Sequence, residues 1–334
     1  MGRLTGQLSP RVSLVLVALA AVMFGTEGLM RRPLLDSMSV TAIVLAELIL
    51  LAAFAVPVLI AHRRVLARLS IRNWLVLLII GWGASGGAAL LFTQALNEGN
   101  PTTASLLQNA QPLIVVLLAL VLLKERLPAT YWPCLVASIF GVYLLSFATL
   151  GPLTGLELGE LHATGYAIGA AGLWASGTVL ARLVLREMSY VTLTAARIAI
   201  ALPFVAVVAI SNGSIDQTVS GISSSPVQLL GAAFIPGLIG MLLFYRGLSG
   251  TRASYAVLAE FTYPAAAIVG NWMILGTTIA PLQALGCLIL LAAIFVLVQR
   301  STPGDTVPSP EVVGARLNVS SLSHDDFVRV STPN

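Results

Sequence analysis

Glu27, Glu47, Arg197 and Glu260 stand inside runs of apolar residues. Taking a charge out of water is costly, so an ionisable group in such a run serves as half of an ion pair, a ligand contact or a proton carrier. A second polar group lies between two apolar runs, in FTQALNEGNPTTASLLQNAQP, residues 92–112. There Ser105, Gln108, Asn109 and Pro112 recur at helical spacing and share one face. Amides both donate and accept, which suits a polar or zwitterionic solute and equally a bond between helices. The stretch SYAVLAEFTYP, residues 254–264, ends in the same way, with Glu260 in the place of Gln108 and Pro264 in the place of Pro112. Each proline frees a backbone carbonyl and permits a kink, so both are candidate hinges, with a plain kink as the alternative. Trp174 and Tyr263 lie within apolar runs and are candidates for the apolar wall of a cavity; core packing is the other reading.

These side chains need a scaffold, and the composition says which kind. The chain has 334 residues, 57% of them hydrophobic and 10% charged, with a mean hydropathy of +0.93. A soluble domain carries roughly 25% charged residues, so lipid must cover most of this surface. The net charge of +4 fits basic loops at a membrane better than nucleic-acid binding. Cys134 and Cys287 lie in apolar runs, with no disulfide framework and no metal-ligand spacing. The early apolar run ends in Arg31-Arg32 without a small-residue cleavage pattern, and reads as a retained helix.

A spanning helix needs about 20 mostly apolar residues. Ten segments qualify, near residues 12–30, 40–61, 73–94, 102–123, 130–149, 161–182, 190–211, 226–248, 254–276 and 280–299. With the N-terminus inside, the inner loops and ends hold Arg3, Arg11, Arg63, Arg64, Arg68, Arg72, Lys124, Arg126, Arg182, Arg186, Arg246, Arg252 and Arg300, and the outer side holds Arg31 and Arg32. That bias puts both termini in the cytoplasm. The expected organisation is a short cytoplasmic N-terminus (1–11), five spans (12–149), an outer linker (150–160) that includes part of a basic-free stretch, five more spans (161–299), and a polar Pro/Ser-rich cytoplasmic tail (300–334). A second loop free of Lys and Arg is expected at Asn212–Ser225.

The halves echo each other at an offset of about 150 residues: Ala46-Glu47-Leu48 falls on Ala196-Arg197-Ile198, Leu91-Phe92 on Leu243-Phe244, and Pro112 on Pro264. Five spans is an odd number, so two copies in series insert in opposite directions, the inverted repeat of many secondary transporters. This layout, the LLKERL sequence after the fourth span and the prolines of the fourth and ninth spans resemble the drug/metabolite transporter superfamily, and within it the transporters with two EamA repeats. The resemblance covers residues 12–299. It implies a secondary transporter that exports small metabolites such as amino acids. Glu125 matches the motif after the fourth span; the counterpart in the second repeat is Gly276-Thr277-Thr278 where the family often has an acidic residue, and the second span carries Glu47 where the family often has Arg.

Depth in the bilayer groups the charges further. Arg197 and Glu260 share one level and Glu47 and Gln108 another, so the expected pairs are Arg197 with Glu260 and Glu47 with Gln108. Glu27 lies one turn before Arg31, a favourable pair at the outer interface. A carboxylate in a partly dry cavity also suits proton exchange. Gly83/Gly87 and Gly165/Gly169 have the spacing of close helix contacts.

Gly83-Ala84-Ser85-Gly86-Gly87 fits G-x-S-x-G and resembles the serine loop of rhomboid proteases, but His62, His162 and His324 all fall outside the middle of a span. The one lysine, Lys124, follows no glycine-rich loop, so no ATP-binding loop is present. The sequence therefore describes an all-α, ten-helix protein of the bacterial plasma membrane, monomeric or weakly dimeric and without cofactor or metal. It would export a small polar or amphipathic metabolite by alternating access coupled to protons. A passive facilitator or a membrane sensor would share the same features.

Overall fold

The computed structural model describes residues 8–98, 107–147, 161–275 and 280–300. These residues form helices joined by turns and short irregular segments, with no strand among them. The main helices are α1 (Pro10–Phe24), α2 (Val40–Ala61), α3 (Ile71–Glu98), α4 (Gln111–Leu122), α5 (Tyr131–Phe147), α6 (Leu161–Val184), α7 (Tyr190–Ser211), α8 (Pro226–Ser249), α9 (Ala253–Glu260, then Thr262–Leu275) and α10 (Pro281–Arg300). Seven stretches among the described residues are long and apolar enough to cross a membrane; Gln111–Leu122 and Tyr131–Leu145 are shorter apolar helices. Ser105, the linker 150–160 and the tail from residue 301 lie outside the described residues.

Local chemistry explains where several helices start. Ser9, Ser39, Ser70 and Ser189 each accept a hydrogen bond from the backbone N–H three residues on, at 3.2 to 3.4 Å. Such a cap satisfies one of the N–H groups a helix leaves open at its start, for about 1 kcal/mol. Ser39 and Ser189 open α2 and α7 in corresponding places of the two halves. The expected loop at Asn212–Ser225 instead holds a helix, Ile215–Ser224, which packs against α2. Its serines explain the misreading: Ser220 and Ser223 turn their hydroxyls back onto Asp216 and Ser220 carbonyls within the helix itself.

Packing crosses between the halves in matched pairs. α1 packs on α8 while α6 packs on α3; α2 lies along α7, and α5 along α10. Irregular backbone recurs at matched places as well. Ile79–Gly87 in α3 and Ala233–Gly240 in α8 are π-helical, the second containing Pro236. The wider turns of a π-helix leave i→i−4 partners displaced, and in α3 the Ser85 hydroxyl donates to the Ile80 carbonyl at 3.1 Å. Away from these contacts, Val121, Ile210, Leu288 and Phe295 are exposed apolar side chains, as a lipid-facing surface requires.

One close helix contact falls on a pair of glycines that spacing does not suggest. A Cβ on Gly141 would stand 2.9 Å from the Gly286 carbonyl, and one on Gly286 would stand 2.7 Å from the Gly141 carbonyl, so α5 and α10 meet backbone to backbone. Gly165, by contrast, has nothing within 4 Å of its Cβ position. Gly83 has only an ordinary contact with Leu173, at 3.6 Å, but the other member of each pair is closer: a Cβ on Gly87 would stand 3.4 Å from Leu173, and one on Gly169 would stand 3.2 Å from Leu91.

Candidate functional site

Breaks in α4 and α9 position the polar residues. Residues 109–110 form a turn before Gln111 starts α4, and Phe261 forms a turn between the two parts of α9. Pro112 stands in the first turn of Gln111–Leu122, and Pro264 in the first turn of Thr262–Leu275. A proline there loses no helical hydrogen bond, because the N–H of the first turn has no intrahelical partner. The prolines thus begin second half-helices just after each break, and do not bend a continuous helix.

Both breaks open onto one cavity with about 1250 Å³ of space not filled by atoms, part of it open to the outside. Gln108, Asn109 and Pro112 line it from the first half; Glu260 and Tyr263 line it from the second. Trp174 contributes an aromatic wall from α6, its ring 5.3 Å from that of Phe92. Glu47 of α2 and Arg197 of α7 complete the set; among the described candidates, Pro264 alone does not line this space. Trp82, another tryptophan within an apolar run, does not line the cavity: it is half exposed and stacks on Phe204.

The charged pairs differ from those expected from depth. Glu47 binds Arg31, with Nε to Oε1 at 2.9 Å and Nη2 to Oε2 at 2.6 Å, a two-pronged contact with both groups buried. Glu27 also pairs with Arg31, and Thr93 accepts from Arg31 Nη1 at 3.3 Å. The chain after α1 folds into a short helix, Glu27–Arg31, which turns Arg31 inwards from the interface where the positive-inside pattern placed it. The spacing of Glu27 and Arg31 gave the first pair; the second joins residues 16 apart and depends on tertiary packing.

Arg197 and Glu260 form no ion pair with each other. Arg197 Nε donates to Ser85 Oγ at 2.7 Å, and its guanidinium lies 5.8 Å from the centre of the Tyr245 ring. Among the described residues, Arg197 Nη1 has no hydrogen-bond partner, nor do Glu260 Oε2 and Gln108 Oε1, although all three atoms are buried. Ser85, the serine of the protease-like motif, is therefore committed to Ile80 and Arg197. Its role was missed because a lone serine among glycines reads as packing until α7 is laid beside α3. Buried polar atoms are normally satisfied. Here one cavity carries three unsatisfied ones, a guanidinium nitrogen of Arg197 and the oxygens of Gln108 and Glu260.

The other end of α9 is closed. Glu125 accepts from the backbone N–H groups of Ala253 and Ser254, at 2.8 and 3.2 Å, and from the Ser254 hydroxyl. Tyr131 donates its phenol to the Ser254 carbonyl at 2.9 Å, and Arg252 donates to the Arg126 carbonyl at 2.6 Å. These bonds tie the start of α9 to the loop after α4 and to α5.

Apolar membrane-length helices around one polar, aromatic-walled cavity, with lining helices broken at that cavity, define a multi-pass membrane protein of the solute-transporter class. The EamA-like transporter family matches the chain twice, over residues 11–147 and 163–299, and the chain belongs to that family. The riboflavin transporter ImpX of Fusobacterium nucleatum subsp. nucleatum is 26% identical over 287 residues, covering 84% of this chain and 95% of that protein. A solved crystal structure of a protein matches with a TM-score of 0.67 at 19% identity, covering 86% of this chain and 98% of its own.

Proposed function

We propose that the chain is a secondary active transporter that exports a small amphipathic metabolite by alternating access between two inverted five-helix repeats. The observation that carries this reading is the cavity, where Arg197 Nη1, Gln108 Oε1 and Glu260 Oε2 lie unpartnered beside the aromatic surfaces of Trp174 and Tyr263. A solute with a flat apolar part and a hydrogen-bonding edge would satisfy both kinds of wall. Riboflavin has that chemistry, and the ImpX relative makes it the first solute to test, ahead of aromatic amino acids. Glu260 is the candidate proton carrier: it sits at a helix break on the cavity and has a buried oxygen free of protein partners. Matched helix pairs and matched π-helical segments support two related halves that rock about a central site.

Purified protein in liposomes should move riboflavin or an aromatic amino acid against its gradient when a pH gradient is imposed. Arg197→Gln should lower flux about tenfold or more, the cost of one charge-assisted hydrogen bond to the solute. Glu260→Gln should leave exchange of solute intact while abolishing uphill transport. Flux that equilibrates regardless of the pH gradient would make the protein a facilitator. No flux of any solute in the panel would reject transport in favour of a sensor.

A further inference from the structure

A second cavity lies apart from the first and shares no lining residue with it. Its walls carry Lys124, Arg126, Arg182, Arg186 and Arg252, with Glu125 as the one acidic side chain. The acidic group does not balance the others. Both Glu125 oxygens are turned to the start of α9, and no ion pair joins Glu125 to Lys124, Arg126, Arg182 or Arg186. Arg182 is the decisive member. It is 2% exposed, donates Nη1 to the Ser249 carbonyl at 3.3 Å, and leaves Nε and Nη2 without a partner among the described residues. A guanidinium kept out of water with two donors unused calls for an acceptor of opposite charge.

The backbone supports the same arrangement. After α4 the chain turns sharply at Lys124, whose φ of 52° lies in the left-handed region. The Glu125 N–H closes onto the Ala119 carbonyl at 3.2 Å, and the left-handed place after a helix end is one that glycine usually holds. A lysine there forgoes an easier backbone to place a cation at the rim.

We propose that this basic cavity binds a phosphate group, with the planar fork of Arg182 at its base and Lys124, Arg126, Arg186 and Arg252 around it. Arginine matches phosphate oxygens with paired hydrogen bonds, and several cations around one anion supply the charge. The phosphate can belong to an anionic lipid headgroup or to a soluble phosphorylated compound. The site is independent of the transport reading and is testable without any transported solute.

Full-length protein in detergent would be titrated with sodium pyrophosphate against sodium chloride of equal ionic strength, and with phosphatidylglycerol against phosphatidylcholine. Thermal unfolding reports stabilisation, and native mass spectrometry reports retained lipid. The triple variant Lys124→Gly/Arg126→Gln/Arg186→Gln removes three charges from exposed positions and puts glycine where the backbone favours it; Arg182→Gln removes the base of the site. Stabilisation by phosphatidylglycerol over phosphatidylcholine, with binding about tenfold weaker or worse in the triple variant, establishes a headgroup site. Stabilisation by pyrophosphate alone, lost in the same variant, establishes a soluble phosphate site. If neither probe exceeds its control, or if the folded triple variant responds as the parent does, the proposal is overturned.

Discussion

Arg31 donates to Glu47 through Nε and Nη2 and meets Glu27 and Thr93 through Nη1. One cation therefore holds two carboxylates that would otherwise repel inside a dry bundle. Removing one partner of a buried pair costs about 3–5 kcal/mol, because the remaining charge stays buried without its counterpart. Arg31→Gln should be the harsher change, since it strands two carboxylates, whereas Glu47→Gln leaves Arg31 paired with Glu27. The double variant Arg31→Gln/Glu47→Gln should recover part of the loss. Thermal unfolding of the four proteins in one detergent measures all three differences. Equal stability of Arg31→Gln and the parent would mean that Arg31 is not the organising cation. The sequence marked Glu27, Glu47, Arg197 and Glu260 as costly to bury, and each lines the main cavity. It could not assign their partners: shared depth leaves rotation about each helix axis undetermined, and Arg31 was hidden at the end of a run where basic residues normally meet water.

Helix contacts show the same division between pattern and geometry. Small residues four apart mark a surface that permits close approach, but only the neighbour decides whether approach occurs. Gly141 and Gly286 lie in different halves, with nothing in sequence to join them, yet each faces the other's carbonyl. Backbone cannot move aside as a side chain can. Gly286→Ala should therefore separate α5 from α10 and cost about 1–3 kcal/mol by overpacking. Gly165→Ala is the control: its Cβ position is open, and relief of the glycine penalty in a helix should stabilise the protein by up to about 1 kcal/mol. Unfolding temperatures of the two variants should move in opposite directions. The helix starts were more legible, because a serine cap acts within four residues. The π-helical turns of α3 and α8 were not, since they respond to glycine and proline in a packed setting that local preference does not describe.

At the scale of the molecule, the strongest signal in the sequence was charge placement, which predicts a topology that packing alone does not determine. Five-helix halves in opposite orientation put the loop after α2 on the inner face and the helix between α7 and α8 on the outer face. Ser70 and Ser220 are exposed positions in those two places. After replacement of Cys134 and Cys287 by alanine, single cysteines at Ser70 and Ser220 can be labelled in intact cells with a maleimide that does not cross the membrane. The expected result is labelling at Ser220→Cys in intact cells and at Ser70→Cys only after lysis. Labelling of both from outside would break the odd number of crossings between the two loops and, with it, the inversion. Labelling of Ser70→Cys alone would reverse the orientation while keeping the inversion. The distinction bears on transport: an inverted pair gives the central cavity two related states, one facing each side, whereas two copies in the same orientation would need a different motion to pass a solute across.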